Sequence, residues 1–112
     1  MKTTKGNIII ALFDGFEFYN DDPKAYPNGY YINEEANNMV ENPNDFQYEE
    51  SWDWLMPVYF KFQDMAYNLL HISISSISHC SNFIDGIYQQ DITKSWRALV
   101  NGIKWYNKYD TK

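Results

Sequence analysis

Two stretches in the second half of this chain repeat apolar residues at the three-and-four spacing of an amphipathic helix, and they constrain the fold more than any other feature. In the first, Leu55, Val58, Tyr59, Phe62, Met65, Ala66 and Leu69 share one side, with Lys61, Gln63, Asp64 and Asn68 on the other. Ser51 is placed to cap its first turn, and Asp53 suits the positive end of the helix dipole. Proline lacks a backbone N–H and is tolerated only near a helix start, so the helix either kinks at Pro57 or begins there. In the second stretch, Asp91 supplies an N-cap, and Ile92, Trp96, Leu99, Val100, Ile103 and Tyr106 mark the apolar side. Its outer face carries Lys94, Arg97, Lys104 and Lys108, the last two suiting the negative C-terminal end. Leu55, Phe62, Leu99 and Ile103 are therefore the expected core residues.

Shorter elements fill the rest. The apolar run over residues 8–13 predicts a short helix ending at Gly15, and Tyr30-Tyr31-Ile32 is the best strand candidate. His71-Ile72-Ser73-Ile74-Ser75 alternates with the period of a half-buried strand. Phe83-Ile84-Asp85-Gly86-Ile87-Tyr88 follows across a polar turn containing Ser78 and Asn82, which predicts an antiparallel hairpin. Helices and strands mixed in 112 residues point to one α/β domain over residues 1–112, a small sheet packed by helices.

Charge is distributed unevenly. Residues 14–53 hold eleven carboxylates against Lys24 alone, a balance of −10, while the whole chain carries −6 and the remainder therefore +4. The same stretch holds Phe16, Phe18, Tyr19, Tyr26, Tyr30, Tyr31, Phe46 and Tyr48, punctuated by Pro23, Pro27, Gly29 and Pro43. Residues 20–50 accordingly read as an irregular acidic, aromatic loop segment with one or two short strands. The aromatic fraction of 19% exceeds what so small a core usually holds, so some rings are expected at the surface, where tyrosine and tryptophan make effective contacts. The net charge disfavours nonspecific nucleic-acid binding and a polybasic membrane site. With Cys80 as the one cysteine, no internal disulfide forms and a reducing compartment is expected. The run over residues 8–13 is too short for a membrane span and lacks a small-residue cleavage site, which predicts a cytoplasmic protein.

Three blocks carry a family resemblance. Ile10-Ala11-Leu12-Phe13-Asp14-Gly15-Phe16, Tyr48-Glu49-Glu50-Ser51-Trp52-Asp53-Trp54-Leu55-Met56-Pro57-Val58 and Ile103-Lys104-Trp105-Tyr106-Asn107 resemble, in order and separation, blocks of the phage ABA sandwich domain family. The run with two tryptophans and the proline is the specific one. Asp14 departs from the family pattern, where a hydrophobic residue is usual, as do Tyr59-Phe60, and residues 21–44 match nothing in it. The resemblance implies a three-layer α/β/α sandwich with an antiparallel or mixed sheet, and an origin in a phage or prophage. It implies no catalytic residue.

The sequence holds little that reads as reaction chemistry. His79, Cys80, Asp85 and His71 are the only grouping that approaches a zinc ligand set, and their spacing matches no finger or ribbon, so no metal is expected. The serines over residues 73–81 lack a nucleophile elbow and read as the polar face of an edge strand, and Cys80 beside His79 lacks the geometry of a thiol–imidazole pair. The five glycines form no phosphate-binding loop, and no calcium loop is present. The pairs Asp21-Asp22, Glu34-Glu35 and Glu49-Glu50 lie in polar loops and read as solvated surface rather than as an acid–base couple. Trp52 and Trp54 either stack on a ligand or anchor the helix start; on a helix they point about 200° apart, which favours anchoring.

The expectation is a binding protein without cofactor or enzymatic activity. Asp21, Asp22, Tyr26, Tyr30, Tyr31, Glu34, Glu35, Glu41 and Asp45 are the candidate contact residues for a host protein with a basic, nucleic-acid-holding surface. Inhibition of a host defence system, a CRISPR nuclease included, in the cytoplasm of an infected bacterium is the sharpest form of this reading. A sponge for a nucleotide signal, using Lys94, Arg97 and Lys104, is the alternative, and a structural phage protein kept soluble by its acidic loops is the plainest one.

Overall fold

The computed structural model describes residues 2–70 and 74–110. In chain order these form α1 (Lys2–Asp14), β1 (Glu17–Tyr19), β2 (Tyr30–Asn33), β3 (Asn38–Val40), a 3-10 turn (Pro43–Asp45), α2 (Trp52–Leu70), α3 (Ile74–Tyr88) and α4 (Ile92–Asp110). The protein is thus a mixed α/β fold, with four helices and one three-stranded antiparallel sheet of order β1-β2-β3 among the described residues. No helix among them is long and apolar enough to cross a membrane.

The helices bury the faces that their periodicity marks. Ile10, Leu55, Val58, Phe62, Phe83, Leu99 and Ile103 are all at most 1% exposed, including the four residues expected in the core. The helix over the first apolar run is longer than the expected six residues and closes as a Schellman motif. Phe16 N–H donates to Ala11 O at 3.0 Å and Gly15 N–H to Leu12 O at 3.4 Å, with Gly15 at φ +114°. Ser51 occupies the N-cap of α2, its carbonyl accepting from Leu55 N–H at 3.0 Å. The helix runs from Trp52, so Pro57 lies inside it and does not begin it.

The hairpin expected in the second half is corrected by the structure. Residues 83–88 lie in α3, as do Ser75, Ser76, Ser78 and Ser81, so the serine run is helical and not an edge strand. Of the strand expected over residues 71–75, the last two residues also belong to α3 and the first three lie outside the described residues. The physical reason is visible in what α3 buries. Cys80, Phe83 and Gly86 face inward at a spacing of three, and Gly86 marks the inner side without contributing any hydrophobicity to the pattern. At Gly86 the two last helices meet almost backbone to backbone, since a Cβ added there would lie 2.8 Å from Ser95 N. Ser95 is fully buried and donates its hydroxyl to Phe83 O at 2.7 Å.

The sheet alternates as strands do. Tyr31 and Val40, paired across β2 and β3, are buried, while Glu17, Ile32 and Met39 line up on the opposite face, where Met39 is 41% exposed. A chain of rings ties the inner face to the helices: Tyr31 meets Phe46 at 5.4 Å, Phe46 meets Tyr48 at 5.8 Å, and Tyr48 meets Trp54 of α2 edge-on at 5.3 Å. Much of the aromatic excess of residues 14–53 is therefore interior.

Candidate functional site

The residues expected at the contact surface divide into three environments. Glu34 and Glu35 are exposed on the turn between β2 and β3, a turn held by Ala36 N–H donating to Asn33 Oδ1 at 3.2 Å and closed by Asn37 in the left-handed region at φ 52°. They line a cleft of about 200 Å³ together with Glu17, Asp14 and Lys61. Tyr26 and Tyr30 are half-buried in a second group: their rings meet at 4.7 Å, Tyr30 stacks on Tyr19 at 5.6 Å, and the Tyr30 hydroxyl donates to Asp21 Oδ1 at 2.9 Å. That hydrogen bond to the Asp21 carboxylate, with a small contribution from burial, holds the Tyr30 hydroxyl above its ordinary titration range. The same arrangement recurs at Tyr19, whose hydroxyl donates to Glu17 Oε2 at 2.8 Å. Tyrosine rings on this face thus stand fixed by carboxylates, with little side-chain freedom left to lose on binding.

Asp22, Glu41 and Asp45 form the third environment, around the turns that flank the tyrosines. Asp22 is spent on its own turn, accepting from Ala25 N–H at 3.3 Å through its side chain and from Tyr26 N–H at 2.8 Å through its carbonyl. Glu41 and Tyr26 line a shallow cleft of about 250 Å³, and Asp45 is exposed on the 3-10 turn. Tyr31 does not join this surface. It is 8% exposed and packs inward against Phe46, because residues next to one another in β2 point to opposite faces, and Tyr30 takes the outer one.

The structure brings forward a group that the sequence marked only as a departure from the family pattern. Asp14, the last residue of α1, is half-buried, and its Oδ2 accepts a 2.9 Å hydrogen bond from the fully buried Tyr48. Burial holds the Asp14 carboxyl above the usual carboxylate range, against the opposing pull of the Tyr48 hydroxyl and the Lys61 charge. Asn33 donates to the Asp14 carbonyl at 3.5 Å. Lys61 is turned elsewhere, donating to Phe13 O at 2.8 Å with its ammonium 5.5 Å from the Phe13 ring centre. Asp14 also lines a further cleft of about 200 Å³, together with Tyr48, Trp54, Asp53, Asn33 and Asn38 among others. The one sequence signal for this site was a carboxylate at the C-terminal end of a helix, where the dipole disfavours it.

The remaining candidates are structural in their surroundings. Cys80 is buried, which pushes its thiol up against a smaller opposing hydrogen bond from Tyr59. His79 lies half-buried, 6.0 Å from the Trp105 ring, and desolvation pulls its imidazole down. No group of three or more metal-binding side chains occurs among the described residues. On α4, Arg97 and Lys104 are exposed, and Lys94 donates to Gln89 Oε1 at 3.4 Å. No protein-family model, curated protein or solved structure matches this chain.

Proposed function

We propose that this protein works by binding, docking its acidic sheet side on a basic surface of a host protein. The observation that carries the reading is the convergence of Glu17, Asp21, Glu34 and Glu35 with the fixed rings of Tyr19 and Tyr30 along β1, β2 and their turns. Exposed carboxylates steer a cationic partner and reject anionic ones, and preordered rings supply contact area at low entropic cost. Glu17, Ile32 and Met39 also leave one side of the sheet open to solvent. In the three-layer α/β/α arrangement that the family resemblance implies, this is the side a further layer would cover, and a partner docked there supplies it.

Basic protein surfaces in a bacterium commonly hold nucleic acid, so occupying one inhibits the machine that uses it. With the phage origin that the resemblance implies, the reading becomes inhibition of a host defence system, such as a CRISPR nuclease, inside the infected cell. The test is comparative capture from host lysate, with the wild-type chain and the Glu34→Lys, Glu35→Lys variant as paired baits. A basic protein retained by the wild type and lost from the variant supports the reading. Identical captures from both baits contradict it.

A further inference from the structure

The cleft between Asp14 and the first turn of α2 has a lining unlike that of the acidic cleft beside it. Trp54, backed by the fully buried Tyr48, supplies the aromatic wall, Asp14 and Asp53 supply carboxylates, and Asn33 and Asn38 supply amides, with no basic residue around its approximately 200 Å³. We propose that this cleft is the socket for one arginine side chain of the partner protein, a proposal that rests on the docking reading above and gives it an anchor.

Guanidinium chemistry fits this lining: the ion is planar, weakly hydrated, stacks on aromatic faces and donates up to five N–H groups to acceptors around its edge. Tryptophan is the best aromatic partner for a cation, and Trp54 is held in place edge-on to Tyr48 at 5.3 Å. Tyr48 in turn occupies only Oδ2 of Asp14 at 2.9 Å, and Oδ1 has no donor among the described residues. Asp14 is half-buried, so the charge of a cation brought against it favours the ionised carboxylate and offsets the desolvation that now raises its carboxyl. Lys61, whose charge Asp14 already feels, lines the neighbouring cleft and is bound to Phe13 O, so it leaves this one unfilled. The acceptors come from three separate segments of chain, at residues 14, 38 and 53, since Asn33 Oδ1 already accepts from Ala36 N–H. A compact ammonium satisfies such a spread less well than a forked guanidinium does.

The test uses the intact chain labelled with nitrogen-15 and titrated with N-acetyl-arginine methylamide, with the lysine and citrulline counterparts as controls. Saturable shifts at the Trp54 indole and the Asn33 and Asn38 side-chain amides are expected with the arginine probe, at an affinity on the order of 1 mM, as ligand efficiency allows so small a molecule. The lysine probe binds several-fold more weakly and the neutral citrulline probe not at all. Asp53 is exposed, so Asp53→Asn keeps the fold and weakens the arginine probe by about tenfold, while Trp54→Ala removes its binding. No saturable shift at these groups, or an equal response to citrulline, overturns the socket. Because the probe needs no partner, the two readings fail separately. Loss of a captured partner on reversing Glu34 and Glu35, with no arginine response, retains the docking surface without the socket. An arginine response with captures unaffected by those reversals retains the socket and removes the surface.

Discussion

Asp14 stands where a carboxylate is least comfortable, half-buried at the negative end of α1. Its folded pKa lies above the ordinary 3.8, so between those two values the folded chain binds the proton more readily than the unfolded one. The stability this group contributes is therefore fully present below 3.8 and is lost as pH rises through the folded value. Asp14→Asn removes that dependence while its side-chain carbonyl can still accept from Tyr48. Melting temperatures of the two proteins are expected to converge on acidification, and at neutral pH the wild type is the less stable of the two. Parallel melting profiles across this range would show that Asp14 is better solvated than its position implies. A half-buried carboxylate with a raised pKa beside a cleft is the kind of group that marks a binding site, and Asp14 lies at the edge of the proposed socket.

Among the elements, the tightest constraint lies in the turn from α3 to α4. Gln89 to Asp91 close α3 as a second Schellman motif, Asp91 N–H donating to Gly86 O at 2.8 Å and Gln90 N–H to Ile87 O at 3.1 Å. Asp91 then caps α4, accepting from Lys94 N–H at 3.2 Å. Gln90 sits at φ 54°, a conformation disfavoured for any residue with a Cβ, so Gln90→Gly is expected to stabilise the protein by about 1 kcal/mol. Gly86→Ala has the opposite sign, because its new methyl group meets the Ser95 backbone, and about 1–3 kcal/mol is the expected loss. Urea titrations of the two variants check both signs, and wild-type stability in Gly86→Ala would mean the two helices stand further apart. The same element explains what was legible beforehand. α2 and α4 could be read, apart from the start of α2 at Pro57, because long runs of apolar side chains and cap residues agree, whereas only the second half of α1, over its apolar run, was legible. α3 could not be read, since two of the three inward positions described in it are a cysteine and a glycine, and its serines mimic the alternation of a strand. Tyr30 and Tyr31 were legible as a strand, and so as opposite faces, but which of the two meets the core is decided only by how the sheet packs, where Tyr31 lies against Phe46. The Asp14–Tyr48 pair joins residues 34 apart in sequence, and no local pattern announces such a meeting.

For the molecule as a whole, carboxylates concentrate on the sheet and its turns. The acidic residues 14–53 build the sheet, its turns and the two clefts that share Asp14, whereas the exposed cations Arg97 and Lys104 lie on α4. A body charged in this way orients itself as it approaches a basic surface, and the effect acts on association far more than on dissociation. Salt screens it over about 8–10 Å. The most direct measurement is therefore the association rate with the captured partner as a function of ionic strength, for the wild type and for Glu34→Lys, Glu35→Lys. The expected result is a steep fall with salt for the wild type and a slow, nearly salt-independent rate for the variant, with both proteins melting at the same temperature. Equal association rates with equal salt slopes would contradict the acidic sheet side as the docking surface.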